Sequence, residues 1–267
     1  MLRDVTLGQY FPGNSIVHRL DPRTKLVLTL IYIVTLFLAV NYISYAFMIA
    51  VLAVCIIVSK IKLRTILRGV KPLIIVIIIT GLLNLFYTQG EPIVKFWIFT
   101  ITFEGIKRAV FMILRIIMLI MGTFLLTYTT SPVALTDGLE SLLNPLKKIR
   151  FPVHELAMMM SIALRFIPTL IEETDKIMSA QKARGANFET GNIFQRAKAL
   201  LPLLIPLFIS AFRRADELAV AMESRCYNGG EGRTKMKRLR MAGMDWAALA
   251  LGAVLLGVMI TMNIMKI

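Results

Sequence analysis

Residues 26–58 decide the fold class, and they read LVLTLIYIVTLFLAVNYISYAFMIAVLAVCIIV. No charged residue interrupts this stretch, and nearly every side chain in it is apolar. One helix of that length would overshoot a hydrocarbon core of about 30 Å, because each helical residue adds about 1.5 Å. We therefore predict two membrane-spanning helices joined by a tight turn near Asn41 and Tyr42.

Further apolar stretches predict three more spans. One runs from Pro72 to about Tyr87, the next covers residues 109–128, and the last covers residues 246–264. The chain is 57% hydrophobic and 18% charged, with a mean hydropathy of +0.72, whereas soluble domains carry about a quarter charged residues. Aromatic residues between positions 88 and 108 are typical of a membrane interface. The sequence predicts an all-α membrane protein with about five transmembrane helices.

Basic residues cluster in two of the connections. Residues 60–71 and residues 233–240 each carry five Lys or Arg, whereas the turn at Asn41 carries no charge. Because positively charged loops stay in the cytoplasm, an inside N-terminus, four spans, a cytoplasmic segment and a fifth span satisfy both clusters. We attribute the formal charge of +15 to this rule and to anionic lipid headgroups, and not to nucleic-acid binding.

The composition divides the chain into three predicted parts: an N-terminal membrane domain of four spans (1–128), a cytoplasmic domain with two long amphipathic helices (129–243) and a C-terminal transmembrane helix (244–267). The middle part holds 11 of the 16 acidic residues and two apolar runs, 156–171 and 199–212. Charges accumulate toward the ends of both runs, which favours helices lying at the cytoplasmic face. A hairpin of two further spans is the alternative. Three prolines are expected to kink or interrupt the runs: Pro168, Pro202 and Pro206.

The two amphipathic helices resemble each other at an offset of 41 residues. The aligned pairs are Asp175 and Asp216, Ala180 and Ala221, Arg184 and Arg225, and Asn187 and Asn228. Each helix therefore carries an arginine between small residues near its end, as Ala183-Arg184-Gly185 and as Ser224-Arg225-Cys226. Small neighbours let another protein approach, and a guanidinium donates charge-assisted hydrogen bonds. The pair predicts docking to two similar partners, and the alternative is that each arginine caps its own helix.

Methionine is frequent, with 16 residues in the chain. Its flexible side chain adapts to changing surfaces. We predict a hydrophobic platform for membrane partners, with lipid-facing or core packing as the alternative, at Met158, Met159, Met160, Met178 and Met222.

Catalytic motifs are missing from the sequence. It has no Gly-rich phosphate loop, no HExxH motif and no Gly-x-Ser-x-Gly elbow. The cysteines and histidines give no metal-ligand spacing, so we predict a non-enzymatic chain with no cofactor or metal of its own. A lipid-processing enzyme would need a nucleophile or an acid–base set, and none is convincing.

Arg115 is the one ionisable residue well inside a clear span. An intramembrane charge is a functional candidate by default, whereas pairing with helix-end carbonyls or snorkelling would make Arg115 structural. A proton-coupled carrier usually needs acidic residues in its spans, and this chain lacks them. A self-contained channel or secondary carrier is therefore kept as the alternative function.

Three segments carry a resemblance to a known family. The triplets Ala183-Arg184-Gly185 and Ser224-Arg225-Cys226 resemble the paired Ala-Arg-Gly-type signatures of the transmembrane (T) component of energy-coupling factor (ECF) transporters. The segment from His18 to Lys25 is similar to the opening of that family, and the segment from Tyr227 to Thr234 is similar to the stretch after its second signature.

The resemblance implies a subunit of an ABC-class importer in the plasma membrane of a prokaryote. Two cytoplasmic ATPases, which hold the ATP and magnesium, would dock on the signature helices through Arg184 and Arg225. A separate small membrane protein would capture the vitamin or micronutrient and lie on the apolar face of these coupling helices. Ser224 and Cys226 depart from Ala-Arg-Gly, so the two ATPase contacts are expected to be non-equivalent.

Overall fold

The chain is almost entirely helical where its fold is described. The computed structural model describes residues 10–88, 92–96, 99–186, 188, 192–229 and 239–265. In chain order the helices are α1 (Ile16–Arg19), α2 (Pro22–Leu38), α3 (Tyr42–Ser59), α4 (Leu63–Val70), α5 (Ile74–Tyr87), α6 (Phe103–Thr129), α7 (Pro132–Leu143), α8 (Val153–Ala183), α9 (Ile193–Glu223) and α10 (Gly243–Ile264). Short 3-10 turns occupy Lys71–Leu73 and Asn144–Ile149.

A short β-hairpin is the one strand pairing in the described ranges. Strands β1 (Pro92–Phe96) and β2 (Phe99–Thr102) pair antiparallel between α5 and α6. They occupy the aromatic segment that the sequence assigns to the membrane interface, although Trp97 lies outside the described residues. The predicted all-α membrane class is confirmed, with this hairpin as a small addition.

The chain contacts form two compact units. One, here called the bundle unit, comprises Gly8–Leu139 and Leu239–Ile267, and the other, the two-helix unit, is built mainly from Glu140–Arg238. The boundaries at residues 128 and 243 separate predicted membrane parts from a predicted cytoplasmic part. They stay predictions, because the division into compact units does not show how deep a helix lies in a bilayer.

The long apolar stretch forms two helices, as predicted. Asp21 caps α2, its carboxylate accepting the N–H of Arg23 at 2.9 Å, and Pro22 suits the first helical position because it lacks an N–H. The helix ends at Leu38, and α3 begins after Asn41. The break therefore lies at the predicted turn.

The bundle unit has one apolar core, to which α2, α3, α4, α6 and α10 contribute. The buried residues are Leu36, Ala39, Tyr45, Met48, Leu52, Ile56, Ile66, Met118, Tyr128, Leu255 and Met259. Many other apolar side chains of this unit are exposed. Such exposed apolar surface is expected where lipid replaces water as the solvent.

Polar contacts bring three chain segments together at one end of the bundle unit. One carboxylate oxygen of Asp245, at the start of α10, accepts the backbone N–H of Asp21 at 2.8 Å. The Nζ of Lys25, in the first turn of α2, donates to the carbonyl of Thr129 at 2.9 Å. The starts of α2 and α10 and the end of α6 therefore lie on the same side, which the predicted order of spans requires.

Five helical stretches are long and apolar enough to cross a membrane, judged by length and composition among the described residues. They are Tyr42–Ser59, Leu63–Tyr87, Phe103–Thr129, Val153–Ala183 and Gly243–Ile264. The number of stretches agrees with the prediction, but the helices that they include are not all the predicted ones. The 17-residue α2 is not among them, whereas α8 is. The hairpin alternative needs α9 as a second span, and α9 is not among the candidates, so that alternative stays untested.

The three prolines do not interrupt the long helices. Pro168 lies inside α8, and Pro202 and Pro206 lie inside α9, and each helix runs through 31 residues. The expected interruption is therefore wrong, and a kink at these prolines stays a prediction. A proline removes one backbone donor, and the remaining hydrogen bonds of a helix this long continue on both sides of it.

Candidate functional site

The first triplet ends α8 in a tight backbone cap. Gly185 has a φ of 88°, a left-handed conformation that glycine adopts without a steric penalty. Its N–H donates to the carbonyl of Lys182 at 3.0 Å, and the N–H of Ala186 donates to the carbonyl of Gln181 at 2.9 Å. This pair of bonds is a Schellman motif, and it leaves Arg184 as the last residue before the chain turns.

The second triplet ends α9 in the same way. Cys226 has a φ of 56°, and its N–H donates to the carbonyl of Glu223 at 2.8 Å. The N–H of Tyr227 donates to the carbonyl of Met222 at 3.0 Å. Each bond lies 41 residues after its counterpart in α8, so the offset found in the sequence also describes the backbone. Asn187 of the repeat lies outside the described residues.

The two signature arginines occupy equivalent positions in these caps. The N–H of Arg184 donates to the carbonyl of Gln181, and that of Arg225 to the carbonyl of Met222, each at 3.1 Å. Both side chains are exposed, and neither guanidinium has a hydrogen-bond or ion-pair partner within the described ranges. Backbone N–H groups already cap both helix ends, so neither guanidinium is needed for capping.

A cross-helix ion pair holds α8 and α9 together inside the two-helix unit. The Nη2 of Arg214 donates to the Oε2 of Glu173 at 3.1 Å, and the same guanidinium lies 5.8 Å from the ring centre of Phe166. Glu173 and Arg214 are themselves 41 residues apart. The repeat therefore pairs its own equivalent positions across the two helices.

An apolar stripe on α9 was missed by the sequence interpretation. Its members are between 44% and 67% exposed and follow helical spacing: Leu201, Leu204, Ile205, Phe208 and Phe212. The rings of Phe208 and Phe212 stack at 6.5 Å, and Leu203 on another face of the helix is buried. The i, i+3, i+4, i+7 spacing was readable, but the sequence alone did not decide which face of α9 was covered.

The predicted methionine platform is divided among different surroundings. Met159 is 57% exposed, whereas Met158 and Met160 are half-buried. Consecutive helical residues are separated by about 100° around the axis, so these three cannot share one face. Met178 and Met222 are also half-buried. A platform role for these five residues stays a prediction.

Arg115 has a structural partner in the bundle unit. Its Nη2 donates to the carbonyl of Ala39 at 2.9 Å, at the C-terminal cap of α2. The guanidinium also lies within 6 Å of the ring centres of Phe37 and Tyr45. A cation at a helix C-terminus is favourable, so the geometry supports the helix-end alternative for this residue.

The described residues offer little chemistry of their own. Within the described ranges no group of three or more His, Cys, Asp or Glu residues could hold a metal ion. In the two-helix unit, His154 Nδ1 lies 3.1 Å from Glu140 Oε1. This pair connects α7 to the start of α8. The two helix tips and the apolar stripe are therefore the features considered for binding a partner protein.

Comparisons with known proteins agree with these features. The family described as cobalt transport protein (CbiQ) matches residues 13–236. The energy-coupling factor transporter transmembrane protein EcfT of Thermosediminibacter oceani is 57% identical over 96% of this chain and 97% of that protein. EcfT of Clostridium kluyveri is 54% identical over 99% and 98%, and EcfT of Bacillus subtilis is 48% identical over 93% and 94%.

The match covers both the bundle unit and the two-helix unit, including the triplets at Arg184 and Arg225. The chain therefore belongs to the CbiQ and EcfT family, the transmembrane components of energy-coupling factor transporters.

Proposed function

We propose that this chain couples ATP hydrolysis by two cytoplasmic ATPase subunits to the reorientation of a small membrane protein that captures a vitamin or another micronutrient. The observation that carries the proposal is the matched pair of helix tips, each presenting an exposed arginine from the same backbone cap. Two equivalent tips suit two equivalent or homologous partners.

Each tip is suited to dock in a groove of an ATPase. The residues flanking the arginines are small, so a partner surface can approach closely. A guanidinium presents five N–H donors in a rigid fork, which suits a carboxylate or the carbonyls at a helix end. Because Gly185 and Cys226 differ in size, we expect the two contacts to be similar in geometry and unequal in strength.

The apolar stripe on α9 is the proposed docking surface for the capture protein. Exposed Phe and Leu side chains on one helix face bury favourably against another apolar helix, and stacked aromatic rings add directional contacts. The stripe lies on α9, and Arg225 follows two residues after the end of that helix. Movement imposed on the tip by ATPase closure would therefore be transmitted to the stripe.

ATP and magnesium belong to the partner subunits in this proposal, and the chain itself is a non-catalytic scaffold. We propose the plasma membrane of a prokaryote as its location, with the N-terminus and the two signature helices in the cytoplasm. The clusters of five basic residues at 60–71 and 233–240 support this orientation through the positive-inside rule.

The test is reversal of both tip charges. We expect Arg184→Glu combined with Arg225→Glu to abolish co-purification of ATPase subunits in mild detergent and ATP-driven uptake, because a glutamate would repel the carboxylate or carbonyl that accepts the guanidinium. Membrane insertion should be unchanged, since both residues are exposed. Each single reversal should weaken the co-purification of ATPase subunits. The difference between the two single reversals measures how unequal the two tips are.

Lys176→Glu with Lys198→Glu is the matched control, because it reverses two exposed charges on the same helices away from their tips. If the control lost as much ATPase co-purification and uptake as the tip reversal, the effect would be due to net charge and not to the tips. If the tip reversal left ATP-driven uptake intact, the coupling role would be wrong. Substrate flux through vesicles containing the purified chain alone would instead support the channel or carrier alternative.

A further inference from the structure

The helix α4 has an unusual division of its surface. Ile66 is fully buried and Val70 is 7% exposed, whereas Leu63 and Leu67 are 51% and 49% exposed. With about 100° per residue, the two exposed leucines form a stripe beside the buried face. Arg64 and Arg68 lie about 100° further around, and both are exposed.

The position of α4 in the chain is fixed by the helices on either side. Three residues separate it from α3, which ends at Ser59, and three separate it from α5, which begins at Ile74. Three residues of chain reach about 10 Å, so α4 lies close to the ends of two predicted spans. Gly69 seats it against α6, since a Cβ at this position would approach the ring of Phe124 to 2.3 Å.

Within the described part of the chain, no ion pair compensates the charge on this helix and its flanks. Residues 60–71 contain five exposed cations, which are Lys60, Lys62, Arg64, Arg68 and Lys71. None of their side chains has an ion-pair or hydrogen-bond partner among the residues the structure describes. The segment contains no acidic residue. A surface of this kind has a strong preference for an anionic partner.

We propose that α4 is an anionic-phospholipid binding helix, in which Leu63 and Leu67 enter the edge of the hydrocarbon region and the five cations bind lipid phosphates. The leucine stripe matches the acyl-chain layer of a leaflet, and the adjoining arginine stripe matches the headgroup layer beside it. An acidic protein surface would be matched by the cations but not by the exposed leucines. The boundary position beside two spans likewise favours lipid.

The test compares lipids retained by the full-length chain after purification from vesicles of equimolar phosphatidylglycerol and phosphatidylcholine. The unmodified chain should retain an excess of phosphatidylglycerol that falls at high salt, because salt screens exposed charges. Arg64→Gln with Arg68→Gln should lower this excess by about fivefold for each arginine removed. Arg64→Lys with Arg68→Lys should preserve most of it.

Lys176→Gln with Lys198→Gln removes two exposed charges elsewhere and should leave the lipid ratio unchanged. Leu63→Gln with Leu67→Gln should reduce the total lipid retained while keeping the preference. The proposal is overturned if the arginine variant keeps the full excess of phosphatidylglycerol or if the lysine control loses as much of it. Should that variant fail to fold, a salt-insensitive lipid ratio in the unmodified chain would overturn the proposal equally.

Discussion

At the scale of single residues, the two tips differ in the residue that takes the left-handed conformation. Gly185 has a φ of 88° and Cys226 a φ of 56°. A side chain in this conformation crowds the following carbonyl, at a cost of about 1–2 kcal/mol. The second tip therefore has the same hydrogen bonds as the first but carries backbone strain that the first does not.

The strain predicts opposite effects of exchanging the two residue types. Cys226→Gly should slow amide hydrogen exchange at Tyr227 by about fivefold, because a gain of about 1 kcal/mol stabilises the cap that protects this N–H. Gly185→Cys should accelerate exchange at Ala186 by a similar factor. If the exchange rates did not change at either tip, the left-handed conformation would not determine the stability of the caps.

At the scale of helices, the pairing of α8 with α9 rests on particular contacts between repeat-related positions. The offset of 41 residues was readable from the sequence, but the partnership of Glu173 with Arg214 was not, because alignment of two helices does not say that they touch. The ion pair is one quarter to one third exposed. Its contribution to stability is therefore expected to be modest.

A double-mutant cycle measures this contribution. Glu173→Ala and Arg214→Ala should each destabilise the protein, and the coupling between them should be about 0.5–1 kcal/mol in thermal or denaturant unfolding. Arg213→Ala is the matched control, since Arg213 is exposed and should show no coupling to Glu173→Ala. Equal coupling for both arginines would argue against a specific pair.

At the scale of the whole molecule, the two native cysteines report the predicted orientation. Cys226 is exposed at the tip of α9, and Cys55 is partly buried within α3. A membrane-impermeant maleimide should label Cys226 in inside-out vesicles that lack the ATPase subunits and leave it unlabelled in intact cells, because the tip is predicted to face the cytoplasm. Cys226→Ser should remove the signal. Labelling in intact cells would reverse the proposed orientation.

The class of the protein followed from its sequence alone. Residues 26–58 could only be accommodated as two apolar helices, and the break at Asn41 was found where a 30 Å hydrocarbon core required it. The two arginine triplets and the segment around Asp21 were sufficient to suggest the family. These signals are local, since hydropathy, loop charge and motif spacing are all read along one segment of chain.

The tertiary structure decided which surfaces are covered and which side chains meet. It left Phe208 and Phe212 exposed on one face of α9, and it gave Arg115 a helix-end carbonyl. It also joined Asp245 to Asp21 across 224 residues of chain. Burial and side-chain pairing depend on which helices pack against each other. The sequence periodicity of one helix does not identify the helix that packs against it.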